Sequence, residues 1–240
     1  MERTEWQKQM RRNAEALYDR FSSRYWVTWA LTIEETHRTY LQKFLERVPV
    51  GGAILSAACG AGRFDGMLLE AGHSVVGIDQ SAGVLQPAKE YFPEVDYIKM
   101  MLHEMTFREI FDGVICTDAM EHICPEDYPG ILRGFQEALK PGGVLYFSAD
   151  REEEPDFNLE MYFKLGKEAG LPIVFGEVAD LEAFKQAMEQ KDASDELTDR
   201  AVYHYYPPLA KVREWIVQAG LTIEEEGAGN GFHHFLARKW

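Results

Sequence analysis

Hydrophobic and polar residues change their spacing as the chain proceeds. From about Glu5 to Arg47 the apolar positions recur three or four residues apart, for example at Leu17, Phe21 and Tyr25, and this spacing predicts helices. Between Ala53 and Asp150, short apolar runs alternate with longer amphipathic stretches. Short strands that alternate with helices in this way indicate β-α-β crossovers, which build a parallel sheet.

The predicted elements form a regular series followed by an interruption. Strands are predicted at residues 53–57, 73–79, 95–101, 111–118 and 144–150, with helices at 62–72, 81–92 and 128–143. Residues 151–206 break this pattern, since they are polar and predicted to be mostly helical. A helix at 207–220 and strands at 221–226 and 232–238 follow. We therefore expect a doubly wound α/β sheet that carries a helical insertion.

Composition narrows the class of protein. The 240 residues suit one α/β domain with an elaboration, and the 46% of hydrophobic residues supply a sizeable core. The 40 acidic and 25 basic side chains give a formal net charge of -15. This balance argues against nucleic acid or an anionic membrane as the main partner, because both require a basic face.

Two further features lead us to expect a soluble, cytoplasmic protein. No apolar run approaches transmembrane length, and the N-terminal residues are charged, without the apolar region of a secretory signal. Cys59, Cys116 and Cys124 have neither paired nor zinc-like spacing. A sparse, odd set of cysteines fits a reducing compartment better than a disulfide framework.

A glycine turn marks the most informative stretch, AILSAACGAGRFD at residues 53–65. Gly60 and Gly62 lack Cβ atoms, so the backbone between the first strand and its helix can approach a ligand closely. In open α/β sheets, ligands bind at the carboxyl ends of the strands. Asp79 ends the second predicted strand, where a carboxylate can accept hydrogen bonds from ribose hydroxyls. The combination predicts a ligand that contains a ribose.

Two ribose-containing ligands fit this pattern to different degrees. The nicotinamide dinucleotide motif has a third glycine where the pyrophosphate meets the helix N-terminus, but Asp65 stands at that position. A carboxylate near a pyrophosphate is unfavourable, so an NAD-dependent oxidoreductase is the second choice. S-Adenosylmethionine (SAM) contains ribose and adenine but no phosphate, and it fits the sequence better.

Several motifs resemble those of the class I SAM-dependent methyltransferases. They are ILSAACGAGRF, VVGIDQS, FDGVICTDAMEHI and LKPGGVLYF, and they follow one another in the order typical of that family. The similarity is greatest to small-molecule enzymes of the ubiquinone-biosynthesis and antibiotic-tailoring kind. YDRFSSRYW, at residues 18–26, is similar to an aromatic segment that closes over SAM in that group.

The resemblance implies a Rossmann-like, seven-stranded sheet with helices on both faces. Its strand order would be 3-2-1-4-5-7-6, mostly parallel with the last strand antiparallel. Residues 1–48 would form a helical lid segment. Residues 49–240 would form the SAM-binding methyltransferase domain, with a helical insertion at 151–206 after the fifth strand.

The same resemblance assigns cofactor contacts to residues of this chain. Tyr18 or Tyr25 would contact the SAM carboxylate or sulfonium, and the methionine part would lie over Cys59, Gly60 and Gly62. The ribose would bind to Asp79, and the adenine would lie against Gln80, Leu102 and His103. The aminocarboxypropyl group would face Asp118 and Ala119.

Three positions depart from the family pattern. Ser56 replaces the strand-end acid that helps to hold the SAM ammonium, and Ala58 replaces the first glycine of the turn. Both are kept among the expected cofactor-binding residues. A serine adds no charge, so Asp118 is expected to hold more of the ammonium. Met101 stands where an aspartate often contacts the adenine amino group, so we expect backbone groups to recognise the adenine.

Methyl transfer from a sulfonium needs few catalytic side chains, because the leaving group is already activated and orientation matters most. A general base is required only when the acceptor carries a proton. His122, in AMEHI just past a predicted strand, is the first candidate, with a purely structural histidine as an equal alternative. His204, among the tyrosines of AVYHYYPP, is the second, either lining an acceptor pocket or packing at the end of the insertion.

We therefore expect methyl transfer to an O, N or C nucleophile of a small molecule, in a monomer or homodimer, with S-adenosylhomocysteine (SAH) as product. Asp118 and Asp150 end neighbouring predicted strands. Two carboxylates are too few ligands to indicate a metal site, so no metal is expected. A SAM-binding protein that transfers no methyl group is a further alternative, because Ser56 and Ala58 weaken the motif.

Overall fold

The computed structural model describes residues 3–27, 31–150, 173–174, 202–203 and 207–240. Its helices are α1 Arg3–Tyr25, α2 Glu35–Leu45, α3 Asp65–Glu70, α4 Ala82–Tyr91, α5 Tyr128–Ala138 and α6 Leu209–Gln218. Its strands are β1 Ala53–Ala57, β2 Ser74–Asp79, β3 Asp96–Lys99, β4 Phe111–Cys116, β5 Leu139–Asp150, β6 Ile173–Val174, β7 Val202–Tyr203, β8 Leu221–Gly229 and β9 Phe232–Lys239. Within these ranges, no helix is both long and apolar enough to cross a membrane.

Seven of the strands form one sheet in the order β3-β2-β1-β4-β5-β9-β8. Numbered within this sheet, β8 and β9 are the sixth and seventh strands, so the predicted order 3-2-1-4-5-7-6 is confirmed. Strands β1 to β5 pair in parallel, and β9 runs antiparallel to both of its neighbours. The order reverses between β1 and β4, which places a ligand crevice at the carboxyl ends of these strands.

Both faces of the sheet are covered, as the burial of its central parallel strands requires. On one face, Phe135 of α5 and Trp215 of α6 share a buried cluster with Phe147 of β5. On the other face, Phe44 of α2 packs in a second cluster with Tyr146. Neighbouring residues of β5 thus point to opposite faces, as strand geometry demands.

The predicted helix at 128–143 is too long. Helix α5 ends at Ala138 and β5 begins at Leu139. Pro141 has no backbone N–H to donate, and Gly142 has a φ of +81°, which an α-helix does not contain. Leu139 pairs with Phe111 of β4, so LKPGG lies within β5, with an irregular register before Val144.

Helix α1 lies across the carboxyl edge of the sheet. On one side, Asp19 Oδ1 accepts hydrogen bonds from Ser81 Oγ at 2.6 Å and Gly83 N at 3.0 Å, at the start of α4. On the other side, Arg11 Nη2 donates to both carboxylate oxygens of Asp127, each at 2.7 Å, just before α5. Because α4 follows β2 and α5 follows β4, α1 bridges the two loops that flank the crevice.

The predicted insertion at 151–206 lies outside the described residues, apart from β6 and β7. These two short strands pair in parallel with each other. Strand β7 lies next to α1 and to the 3₁₀ turn Met120–His122 that follows β4. One described part of this segment is therefore close to the crevice.

Candidate functional site

A cavity lies at the carboxyl ends of β1, β2 and β4, beneath α1. Nine of the twelve residues predicted to bind SAM line the cavity: Tyr25, Ala58, Gly60, Asp79, Gln80, Leu102, His103, Asp118 and Ala119. Tyr18 and His122 line it as well, whereas Ser56, Cys59 and Gly62 do not.

The turn after β1 is held in left-handed backbone conformations. The φ angle is +51° at Ala58, +55° at Gly60 and +84° at Gly62, which glycine adopts readily and alanine only at a cost. A Cβ atom at Gly60 would lie 2.6 Å from the Tyr25 hydroxyl, so this glycine lets α1 close onto the turn. Gly62 instead packs against the ring of Phe92, away from the cavity.

Asp79 ends β2 with its carboxylate in the cavity wall. Its Oδ2 accepts a hydrogen bond from Gly60 N at 2.9 Å, and its Oδ1 accepts one from Ser81 N at 2.8 Å. Burial raises the pKa of Asp79 to about 6, against the opposing effect of these hydrogen bonds. The two backbone donors orient the carboxylate and leave a lone pair on each oxygen, so it can accept ribose hydroxyls.

Ser56 and Asp65 form a buried pair behind the glycine turn. Ser56 Oγ donates to Asp65 Oδ1 at 2.7 Å, and the Tyr97 hydroxyl donates to Asp65 Oδ2 at 2.7 Å. Asp65 is fully buried, and burial raises its pKa to about 6. The Asp65 carboxylate thus points into the core. It would not face a pyrophosphate bound at the turn, contrary to the expectation from the sequence.

Cys59 also turns its side chain away from the cavity. Its sulfur lies against Gly77 of β2, and burial raises the pKa of the thiol well above its usual value. A protonated, half-buried thiol is a poor nucleophile. The structure places Cys59 as a small residue that packs the turn onto β2.

Asp118, just past β4, has a φ of +52° and is the centre of an ionic network. Its Oδ1 accepts from His37 Nε2 at 2.8 Å and from Ser148 Oγ at 3.0 Å, while Oδ2 pairs with Arg63. Burial alone raises the pKa of Asp118, but His37 and Arg63 outweigh it and hold the pKa well below its usual range. An ammonium group at Asp118 would have to share this carboxylate with Arg63.

His122 contacts α1 through a short hydrogen bond. The Tyr18 hydroxyl lies 2.6 Å from His122 Nε2, and the two rings meet edge to face with centroids 5.3 Å apart. Only 6% of the His122 side chain is exposed, and Glu121 Oε1 lies 3.6 Å from the same nitrogen. His204, the other predicted catalytic residue, lies outside the described residues.

Residues that follow β3 form another part of the wall. Leu102 and His103 belong to the 3₁₀ turn Leu102–Glu104 and line the cavity, with Gln80 from the end of β2. Met101 N donates to Glu104 Oε2 at 3.1 Å, so this backbone donor is engaged within the turn. Recognition of adenine by backbone groups stays a prediction.

Sequence reasoning missed four residues that shape the site: Arg11, His37, Arg63 and Ser148. Each of them acts on an aspartate that is distant in the sequence, and no local spacing pattern reveals such a pair. Among the described residues, no three His, Cys, Asp or Glu side chains are placed to hold a metal ion. The expected lack of a metal stays a prediction.

Comparison with known proteins finds similarity to methyltransferases. Residues 54–143 match a family model described as a methyltransferase domain. An uncharacterized methyltransferase of Synechocystis sp. is 33% identical over 95 residues, which are 39% of this chain and 45% of that protein. The chain thus spans about half the length of this relative. The ubiquinone biosynthesis O-methyltransferase of Pasteurella multocida is 28% identical over 180 residues, 67% of this chain and 72% of that enzyme.

A solved structure shares the fold. It is the 1,6-didemethyltoxoflavin-N1-methyltransferase of Burkholderia thailandensis with bound 1,6-didemethyltoxoflavin and SAH. The TM-score is 0.59 at 19% identity, covering 94% of this chain and 88% of that chain. These matches give no support to the oxidoreductase alternative. Through residues 54–143 the chain is similar to methyltransferase domains, and its sheet has the strand order that the resemblance to class I SAM-dependent methyltransferases implied.

Proposed function

We propose that this protein transfers the methyl group of SAM to an O, N or C nucleophile of a small molecule and releases SAH. One observation carries the proposal: the glycine turn and the Asp79 carboxylate lie in the wall of a single cavity beneath α1. The names of two similar proteins, a ubiquinone biosynthesis O-methyltransferase and a 1,6-didemethyltoxoflavin-N1-methyltransferase, support a small-molecule acceptor.

The residues in the wall fit SAM through the chemistry of their donors and acceptors. Asp79 would accept the ribose hydroxyls, and Gly60 leaves space that a Cβ atom would fill. Gln80, Leu102 and His103 would border the adenine, while Asp118, Ala119 and Tyr25 would lie along the methionine part. The glycine turn is supported on its other side by Ser56, Cys59 and Gly62, which do not line the cavity.

Bound SAM supplies a methyl group on a sulfonium, which is activated for direct displacement. The task of the protein is to hold the acceptor in line with that group and to exclude water. Helix α1 is tied to the start of α4 by Asp19 and to the loop before α5 by Arg11. In this closed position it covers the cavity, so residues 1–48 act as a lid that must open for ligand exchange.

His122 is the proposed general base for an acceptor that carries a proton. Its Nε2 lies at the cavity wall and is bonded to the Tyr18 hydroxyl at 2.6 Å. This contact links the imidazole to the lid, so a proton from the acceptor would reach Nε2 only by displacing the Tyr18 hydroxyl or by passing through it. His204 is kept as a second candidate from sequence alone.

The acceptor pocket is proposed between the lid and the insertion of the methyltransferase domain, which spans residues 49–240 with its insertion at 151–206. Strand β7 belongs to that insertion and lies next to α1 and to the turn Met120–His122. An acceptor placed there is adjacent both to the proposed base and to the glycine turn. This arrangement supports a pocket that the insertion completes.

The proposal also covers the location, the oligomeric state and the partners of the protein. We place it in the cytoplasm as a monomer or homodimer, without a metal, a nucleic-acid partner or a membrane partner. Support comes from the net charge of -15 and from three free cysteines, two of them buried.

The test of the proposed function has two stages. Calorimetric titration with SAH and with NAD identifies the ligand, and tight binding of NAD without binding of SAH overturns the proposal. A screen of small-molecule acceptors for SAH release then tests transfer. SAH binding without release for any hydroxyl, amine or carbon acceptor instead favours a SAM-binding protein that transfers no methyl group.

A further inference from the structure

The wall of the cavity contains two groups of residues that differ in chemistry. Toward the glycine turn, its wall contains Gly60, Tyr25 and Asp118, which are backbone, phenol and carboxylate groups. Toward the turn after β3, the wall contains Leu102 and Ile131, which are apolar. The flat apolar faces of a purine suit the second end, whereas a charged amino-acid arm suits the first.

An ion pair closes the apolar end. Arg11 of α1 and Asp127 both line the cavity, and Arg11 Nη2 donates to both oxygens of Asp127 at 2.7 Å. Their side chains are 26% and 19% exposed. His103 lies nearby: burial is the main cause that lowers its pKa, Arg11 lowers it further, and Asp127 opposes that effect.

One donor of this pair is unsatisfied. The Nε of Arg11 is buried and has no hydrogen-bond partner among the described residues. A buried N–H without an acceptor is costly, because it has lost its hydrogen bond to water without a replacement. Since Arg11 lines the cavity, a ligand atom there is the natural acceptor.

We propose that Arg11 and Asp127 recognise the polar edge of the adenine of SAM and so determine the base specificity of the site. Asp127 accepts a hydrogen bond from the exocyclic amino group, and Arg11 Nε donates to a ring nitrogen. This inference rests on the proposed function, since it assigns residues to part of the same ligand. It adds two side chains that neither the motifs nor the comparisons assign, and it replaces the recognition of adenine by backbone groups that the sequence led us to expect.

The chemistry of the pair suits adenine and rejects hypoxanthine. Adenine presents an amino donor beside ring-nitrogen acceptors, which matches a carboxylate beside a guanidinium. Hypoxanthine places a carbonyl oxygen where adenine has the amino group, so Asp127 would face a second acceptor. Bidentate recognition of a base edge discriminates by about 1–3 kcal/mol, or roughly 5- to 150-fold in affinity.

The test compares SAH with S-inosylhomocysteine, which differs only in carrying hypoxanthine, by calorimetry on the full chain. We expect the wild-type protein to prefer SAH by at least about tenfold. Asp127→Asn is expected to reduce this preference to within about threefold, because an amide can rotate to donate to the carbonyl. Arg11→Lys keeps a positive charge near Asp127 but lacks the Nε donor, and it is expected to weaken SAH binding and lower the preference.

Lys99→Met is the matched control. Lys99 pairs with Glu15 of α1 at 2.5 Å, outside the cavity, so its loss loosens the docking of α1 without changing the base contacts. A wild-type preference near one, unchanged preference in both folded variants, or an equal loss in Lys99→Met overturns the inference. The ratio of the affinities of the wild-type protein for SAH and S-inosylhomocysteine tests the inference even if a variant fails to fold. No binding of SAH to the wild-type protein overturns the proposed function itself.

Discussion

The Ser56 hydroxyl donates a hydrogen bond to Asp65 Oδ1 at 2.7 Å, beneath the glycine turn and out of reach of the cavity. Ser56, which replaces the strand-end acid, and Asp65, which stands in place of the third glycine of the dinucleotide motif, therefore form one buried unit. Asp65 is fully buried and also accepts a hydrogen bond from Tyr97. This unit joins β1, the start of α3 and β3, so its role is structural support of the turn.

Asp65→Asn should stabilise the protein at neutral pH. Burial raises the folded-state pKa from 3.8 to about 6, so the folded state binds the proton more tightly and loses stability as pH rises through this interval. Removal of the charge is expected to raise the free energy of unfolding at pH 7 by up to about 3 kcal/mol. The gain should vanish near pH 4, where wild-type Asp65 is protonated.

Urea unfolding at several pH values between 4 and 7.5 measures this difference. Affinity for SAH should be nearly unchanged at pH 7.5, because neither residue of the pair lines the cavity. A variant that is less stable than the wild-type protein at pH 7 would show that the carboxylate stabilises the turn through its two hydrogen bonds. A large loss of SAH affinity would contradict the structural role.

The affinity for SAH should fall in acid because of Asp79. Its pKa in the free protein is raised to about 6, mainly by burial, and only the carboxylate can accept both ribose hydroxyls. Affinity is expected to be constant above about pH 7 and to fall by about tenfold per pH unit well below 6. Calorimetry of SAH binding between pH 5 and 8 tests this expectation.

The Asp65→Asn variant serves as the control for this profile, because Asp65 titrates in the same range. The pH dependence should persist there and disappear in Asp79→Asn, which should also bind SAH more weakly at every pH. A profile that flattens in Asp65→Asn would assign the effect to the wrong carboxylate. Equal SAH affinity in Asp79→Asn at pH 7.5 would refute the ribose contact.

Much of this fold was predictable because the parallel sheet leaves a clear local signal. Strands β1, β2 and β4 are short apolar runs, each followed by a helix, and the order 3-2-1-4-5-7-6 followed from the resemblance. The boundary between α5 and β5 was missed, because LKPGG was interpreted as a helix end when Pro141 and Gly142 already belong to the strand. The residue preferences of LKPGG fit a helix end as well as the start of a strand. Only the pairing of Leu139 with Phe111 of β4 distinguishes the two.

The positions of site residues were more predictable than their contacts. Asp118 was placed at the cavity from its motif, but its network with His37 and Arg63 joins residues 81 and 55 positions apart. Spacing along one helix or strand cannot reveal such pairs. The orientation of Ser56 was likewise hidden, since a strand residue can face either layer of the fold.

Gly60→Ala should separate lid closure from backbone strain. An alanine at φ +55° costs about 1 kcal/mol of stability, and its Cβ would lie 2.6 Å from the Tyr25 hydroxyl. The Tyr25 ring must then move away from the turn, so SAH affinity is expected to fall at least about tenfold. Thermal unfolding and calorimetry measure the two effects.

Gly72→Ala is the matched control for this substitution. Gly72 has a φ of +85° and no atom within 4 Å of its Cβ position, so alanine there introduces the strain without a collision. Both variants should lose stability, Gly60→Ala at least as much as Gly72→Ala, while only Gly60→Ala loses SAH affinity. Equal SAH binding by the two variants would show that α1 does not need to contact the turn.

Asp118→Asn should destabilise the protein strongly. The substitution leaves Arg63, which is 15% exposed, and the fully buried His37 without a carboxylate partner. Loss of one partner from a buried ion pair costs about 3–5 kcal/mol. Because His37 and Arg63 depress the pKa of Asp118 despite its burial, the wild-type stabilisation should be complete above about pH 4 and fade only at lower pH.

Ser148→Ala separates charge from hydrogen bonding in the same network. Ser148 donates to Asp118 Oδ1 at 3.0 Å and accepts a hydrogen bond from Asp118 N at 2.9 Å, and its loss is expected to cost about 1–3 kcal/mol. Urea unfolding of both variants at pH 7 gives the comparison. If Asp118→Asn costs no more than Ser148→Ala, the ion pairs contribute little. Asp118 would then be free to bind the SAM ammonium, as its position after β4 first suggested.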